Sequence, residues 1–184
     1  MARTLSSMKE LGTLAPDFAL PDVVTGMTVS RRDVSGPAGM LVMFICRHCP
    51  FVKHVQDELA KIGRDYAGRG IGIVAISSND VTSHPEDSPT KLGYQAQELE
   101  FNFPYLFDES QDVARAYDAQ CTPDFFLYDG QGKLVYRGQL DDSRPGNDVP
   151  VTGRDLRASL DAVIAGRTPS AEQRPGIGCN IKWR

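Results

Sequence analysis

A short unbroken apolar run, Gly39 to Ile45, stops directly at the tetrapeptide Cys46-Arg47-His48-Cys49, and an amphipathic stripe starts just beyond it. Gly36 and Pro37 bound the run upstream, so it reads as a central strand buried on both faces. Downstream, Phe51, Val55, Leu59, Ile62 and Tyr66 recur at spacings of three and four, which predicts a helix running to Gly68. Ile71 to Ser77 (IGIVAIS) then reads as a second buried strand. Strand, helix and strand form a parallel crossover unit, so the chain is predicted to be an α/β protein with its cysteine pair where the first strand meets the helix.

The remaining segments add to this unit. Ala15 to Leu20 and Met27 to Ser30 flank the Gly26 turn and predict a short edge hairpin. Asp80 to Pro89 (DVTSHPEDSP) has the composition of a surface loop and leads into a helix from Thr90 to Glu100. Asn102 to Asp108 reads as extended, and Ser110 is the expected N-cap of a helix carrying Val113, Ala114 and Tyr117. Asp124 to Tyr128 and Lys133 to Arg137 are joined by a glycine-bearing turn and predict an antiparallel hairpin, which makes the sheet mixed. Asp141 to Val151 reads as a loop. Thr152 with Asp155 resembles a capping box for a helix through Leu156, Leu160, Val163 and Ile164, stopped by Gly166. The segment 167–184 shows no periodicity and is expected to be a tail to a single domain spanning residues 1–184.

Composition narrows the function classes. With 184 residues, 41% of them hydrophobic, the chain is long enough for one well-buried core. A net charge of −4 without a basic block leaves nothing for a nucleic-acid or polybasic membrane footprint, so neither partner is expected. The most apolar run is far short of a membrane span, and the opening MARTLSSMKELG lacks the apolar stretch of a secretory signal. The expected location is cytoplasmic. Four cysteines, at 46, 49, 121 and 179, are too few and too unevenly placed to be a disulfide scaffold and point to catalysis or metal binding.

Cys-x-x-Cys at a strand-to-helix junction suits thiol-disulfide exchange, because that spacing brings two sulfurs within bonding distance. The attacking species is a thiolate. Pro50 is tolerated in the first turn of a helix, so Cys46 is expected at the cap, with the free N–H groups of His48 and Cys49 and the helix dipole lowering its pKa. Arg47 and His48 are expected to add positive charge, and His48 in particular to favour the reduced state.

These features resemble the thioredoxin-fold redoxins. Cys121-Thr122-Pro123 before the strand DFFLY matches the place of that family's cis-proline, so the resemblance implies a cis Thr122-Pro123 bond facing the redox pair and shaping a groove for substrate. LGTLAPDFALPDVVTGMTVS is similar to the opening of the alkyl hydroperoxide reductase and thiol-specific antioxidant branch, which places a hairpin before the core. CRHCPFVKH, SSNDVTSHPEDSP, YLFDESQDVARAYDAQCTPDFFLYD and GIGCNIKW extend the likeness along nearly the whole chain. The implied architecture is a thioredoxin fold, a central mixed sheet flanked by helices, with an N-terminal β-hairpin extension. Met40 stands where thioredoxins carry a buried acid, and Cys-Arg-His-Cys replaces their Cys-Gly-Pro-Cys.

The expected activity is thiol-disulfide oxidoreduction by Cys46 and Cys49, supported by Arg47, His48, Thr122 and Pro123, with no bound cofactor. A protein disulfide, a small thiol or a peroxide is the expected substrate, and an upstream thiol supplies electrons. Direct peroxide reduction is the alternative, although Pro-x-x-x-Thr-x-x-Cys is absent: the positions seven and three before Cys46 hold Gly39 and Met43. Metal binding is a further alternative through Cys46, Cys49 and His54, which form C-x2-C-x4-H; the fourth ligand of a zinc site has to come from Cys121, Cys179, His84 or a carboxylate. No metal is assigned. Cys121 and Cys179 are accessory thiols or passive ones, with Cys179 in a tail that Trp183 is expected to anchor.

Overall fold

The computed structural model describes residues 3–184, so the first two residues of the expected domain lie outside it. Strand β1 (Arg3–Leu5) comes first, followed by the hairpin of β2 (Ala19–Pro21) and β3 (Thr28–Ser30), paired antiparallel around the turn at Gly26. A short helix, α1 (Arg31–Val34), leads into β4 (Gly39–Phe44), and α2 (Pro50–Asp65) carries the chain across to β5 (Ile71–Ser77). After a 3-10 turn at Pro85–Asp87 come α3 (Pro89–Glu98), β6 (Tyr105–Phe107), α4 (Asp112–Tyr117) and β7 (Cys121–Thr122). The chain ends with β8 (Asp124–Asp129), β9 (Leu134–Gly138), α5 (Arg154–Ile164) and β10 (Ile177–Asn180).

The main sheet has the order β6-β5-β4-β8-β9. β4 runs parallel to β5 and antiparallel to β8, so the sheet is mixed as expected. Every residue of β4 is buried, which is why its sequence is apolar throughout rather than alternating. The two-residue period of a strand still divides its side chains. Leu41 and Met43 join Val55, Leu59, Leu92, Leu156 and Leu160 in one core, while Met40, Val42 and Phe44 join Phe18, Ala114 and Tyr117 in the other. Each fully buried aliphatic side chain contributes about 1.5–3 kcal/mol, so the faces of β4 alone fix the sheet between two helical layers. Among the described residues, no helix is long and apolar enough to cross a membrane.

Four local expectations are corrected. The N-cap of α4 is Gln111 in the left-handed region, not Ser110, whose hydroxyl instead accepts the Asp112 N–H at 3.2 Å. Helix α5 starts from Gly153, also left-handed, because Asp141 Oδ2 accepts the N–H groups of Thr152 and Gly153 at 2.7 Å each and displaces the capping box. The segment 80–89 is not uniformly a surface loop, since Asp87 is fully buried. The tail is not irregular throughout. β10 pairs antiparallel with β1 on one side and with β7 on the other, matching Cys179 to Thr122 and Asn180 to Cys121. Trp183 is 40% exposed, with the Arg115 guanidinium 5.0 Å from its ring centre, so it covers the surface rather than filling the core.

Candidate active site

Strand β4, central in the sheet, delivers Cys46 just beyond its C-terminal end, and the chain turns through Arg47 and His48 before α2 begins. Proline lacks an N–H and has a preset φ, so it belongs at the first helical position, and Pro50 sits there. The N-cap is therefore Cys49, with extended φ of −69° and ψ of 125°. This corrects the placement of Cys46 at the cap. The sulfur that lies over the positive end of the α2 dipole is that of Cys49.

The backbone donors expected to serve Cys46 are engaged elsewhere. Asp87 Oδ1 accepts the N–H groups of Arg47 at 2.8 Å and of His48 at 3.0 Å. Its Oδ2 accepts Asn79 Nδ2 at 2.9 Å and pairs with the imidazole Nδ1 of His48. Burial alone would raise this acid, but the bonds from His48 and Asn79 hold the Asp87 carboxyl below its ordinary value. A carboxylate thus sits under the Cys-Arg-His-Cys turn and fixes its shape. Asn79 extends the network to the tail, for its Oδ1 accepts the Lys182 N–H at 2.8 Å.

The Thr122-Pro123 peptide bond is cis, as the resemblance implied, and Thr122 meets both members of the pair. Its hydroxyl lies 3.3 Å from Cys46 Sγ, and its carbonyl accepts from Cys49 Sγ at 3.3 Å. Cys46 and Cys49 are themselves in side-chain hydrogen-bond contact. Cys179, brought in by β10, forms a further side-chain hydrogen bond with Cys49. All four cysteines are buried and reduced.

These contacts reverse the expected ionisation. Burial pushes the Cys46 thiol well above its ordinary value, helped by its bond with Cys49 and by the negative charge of Asp87. Cys49 goes the other way, because the thiols of Cys179 and Cys46 both donate to it. Cys179 is raised by holding its proton toward Cys49 and by burial. Among the three thiols in contact, Cys49 is thus the one its neighbours favour as thiolate, with Cys179 and Cys46 as S–H donors, and while it keeps its proton it donates to the Thr122 carbonyl.

The other predicted residues divide. The Arg47 guanidinium turns away from the sulfurs, donating through Nη1 to the Lys91 carbonyl at 3.3 Å. His48 stays at the site, its ring tilted at 36° against that of His84 with ring centres 4.8 Å apart, and its Nε2 is buried without a hydrogen-bond partner. Cys121 points its sulfur at the Pro123 carbonyl, 3.7 Å away, and burial raises it. His54 is not part of a cysteine cluster, since its Nε2 is bonded to Ser143 Oγ at 2.7 Å. The donor set Cys46, Cys49 and His54 is therefore not assembled. Among the described residues the group close enough to hold an ion is Cys46, His48 and Asp87, whose donor atoms lie within 4.8 Å of one another. Asp87 there is already saturated by its hydrogen bonds, which makes it an anchor for the turn. Asp87, Asn79 and the Cys49 cap were not singled out from sequence; of these, only the cap carried a signal, in Pro50.

Residues 11–137 match the AhpC/TSA family. The chain belongs to that family. It is a thioredoxin-like redoxin, and solved structures bear out the fold. A crystal structure of a conserved protein from Geobacillus kaustophilus is 54% identical, with a TM-score of 0.98 over 100% of this chain and 97% of that one. The thioredoxin domain of a thiol-disulfide oxidoreductase from Bacteroides vulgatus is 24% identical, with a TM-score of 0.57 over 70% of this chain and 87% of that one. The thiol-disulfide oxidoreductase ResA of Bacillus anthracis is 22% identical over 126 residues, 68% of either chain. The redoxin expectation thus stands.

Proposed function

We propose that the protein is a thiol-disulfide oxidoreductase in which Cys46 and Cys49 cycle between dithiol and disulfide. The observation that carries this reading is the convergence of both sulfurs on Thr122, one against its hydroxyl and the other against its carbonyl, beside Pro123. The names of the oxidoreductase relatives support it.

The ionisation pattern gives the pair a division of labour. The Cys49 thiolate, hydrogen-bonded to Cys46, takes the Cys46 proton as substrate approaches, and Cys46 attacks a substrate sulfur. One substrate S–S bond breaks, a Cys46-substrate S–S bond forms, and the departing thiolate takes the proton from Cys49. Cys49, again a thiolate, attacks the Cys46 sulfur and expels the second half of the substrate as a thiolate. The substrate gains two electrons, and the pair ends as a disulfide that an external thiol reduces. His48, held through Nδ1 by Asp87, presents its remaining nitrogen within the site. Pro123 forms the wall that an extended substrate passes, next to Phe51, Val55 and Phe125.

Equilibration in graded glutathione buffers, followed by acid quench, alkylation and peptide mass mapping, tests the reading. A reversible Cys46–Cys49 disulfide with a defined potential is expected. A pair that never oxidises reversibly would remove the proposal.

A further inference from the structure

The thiol of Cys179 is unused by this cycle, yet it is placed by two independent features. The first is register. In the pairing of β10 with β7, Cys179 lies opposite Thr122, the residue whose side chain and carbonyl touch Cys46 and Cys49. The second is close packing of the strand that carries it. A Cβ on Gly178 would come 2.1 Å from the Thr122 carbonyl oxygen, so only glycine lets β10 approach β7 this closely. The tail is further pinned by Lys182, whose N–H is held by Asn79 and whose carbonyl accepts the Asp80 N–H at 2.8 Å. The outcome is a Cys179 that is 2% exposed and hydrogen-bonded to Cys49.

We propose that Cys179 is a third redox thiol of this site, exchanging with the Cys46–Cys49 disulfide at the Cys49 sulfur. The inference rests on the oxidoreductase reading and extends it. In the reduced protein Cys179 is hydrogen-bonded to the Cys49 sulfur. Once Cys46 and Cys49 are joined, that acceptor is neutral sulfur, and the Cys179 sulfur already touches it. Cys179 gives up its proton and attacks Cys49. The Cys46–Cys49 bond breaks, a Cys49–Cys179 bond forms, and Cys46 leaves as a thiolate that takes the proton. No oxidant or reductant is consumed, because one disulfide and one thiol remain on either side. With all three sulfurs buried, contact inside the site decides which are joined, and an intramolecular thiol held in place outcompetes one from solution. The exchange returns Cys46 to its free form while the oxidising equivalent is stored between α2 and the tail.

The test uses the full chain and its Cys46→Ser variant, with folding checked by circular dichroism. Both are treated with graded diamide, a two-electron thiol oxidant, then acid-quenched, alkylated and mapped by mass spectrometry. The C46S protein is expected to lose the alkylatable thiols of Cys49 and Cys179 together and to yield their linked peptide. Wild type is expected to yield the same linked peptide alongside Cys46–Cys49. Detection of Cys49–Cys179 in either protein supports the proposal, so a C46S chain that fails to fold leaves the wild-type map to decide. Wild type that forms Cys46–Cys49, with no Cys49–Cys179 link in either protein, overturns the third-thiol inference and leaves the oxidoreductase reading intact. Wild type that forms no Cys46–Cys49 disulfide removes both.

Discussion

The backbone N–H of His48 donates to Asp87 at 3.0 Å, and the imidazole of the same residue pairs with the other oxygen of that carboxylate. A fully buried acid therefore grips the Cys-Arg-His-Cys turn from below, and its charge adds to burial in raising Cys46. Replacing Asp87 by Asn keeps acceptor capacity for the backbone donors and removes the charge. The thiolate absorbance of D87N is expected to develop at lower pH than that of wild type, because Cys46 loses a negative neighbour. Asp87→Ala strands the Arg47 and His48 donors in a buried site and is expected to cost about 1–3 kcal/mol in urea unfolding. An unchanged titration in D87N would show that the carboxylate only shapes the turn.

Cys121 stands apart from the hydrogen-bonded thiols of Cys46, Cys49 and Cys179. Its sulfur contacts the carbonyl of Pro123, and its strand neighbour Asn180 belongs to the tail, so it borders the site without touching Cys46 or Cys49. Cys121→Ala is expected to leave the Cys46–Cys49 redox potential where it is and to lower stability by about 1 kcal/mol through lost packing. Glutathione titration and urea melts of the variant check both halves, and a shifted potential would bring Cys121 into the mechanism.

The unit of β4, α2 and β5 was legible because its information is local: an apolar run, a stripe at helical spacing, and a second apolar run. Pro50 also carries the correct helix start, and the residue directly before it, Cys49, is the cap rather than Cys46, because a proline at the first helical position makes its predecessor the N-cap. Asp87 was not legible. SHPEDSP has the composition of solvated loop, and what buries its aspartate is a pair of backbone donors some forty positions earlier in the chain. β10 was hidden for a related reason, since IGCN is short and half-polar, and its pairing comes from β1 and β7 rather than from any pattern of its own. The site residues contributed by long-range contact were the ones that sequence pattern left unread.

Asp124 opens β8 beside the cis-proline, is fully buried, and has one oxygen without a partner. Burial is the main cause that pushes its carboxyl up to about 7, against the bonds it accepts from backbone. The folded state thus holds a proton that the unfolded chain releases near pH 4, so this group's stabilising share is complete below that pH and is lost as pH rises toward 7. Three pH units correspond to about 4 kcal/mol as an upper measure. Asp124→Asn keeps the acceptor of the Gln120 N–H and cannot ionise. D124N is therefore expected to gain on wild type steadily between pH 4 and 7 in urea melts, with no further gain above that range. A constant difference across the range would mean that Asp124 is ionised in the folded protein throughout.

Gly178 sets how closely the tail approaches Thr122 and the cysteines it contacts. Its Cβ position falls 2.1 Å from the Thr122 carbonyl oxygen and 2.6 Å from the Thr122 carbonyl carbon, both backbone atoms in a strand that cannot swing aside. Gly178→Ala must therefore push β10 away from β7, and an overpacked contact of this kind is expected to cost about 1–3 kcal/mol. The effect on the site follows from register, because Cys179 is the next residue and faces Thr122. As the strand shifts, Cys49 loses the S–H donor that contributes most to holding its thiolate, so its thiolate absorbance is expected to develop at higher pH than in wild type. Urea unfolding and ultraviolet titration of G178A separate the two effects. A variant that is less stable yet titrates like wild type would show that Cys49 owes its ionisation to the helix N-terminus and Cys46, and that Cys179 contributes packing alone.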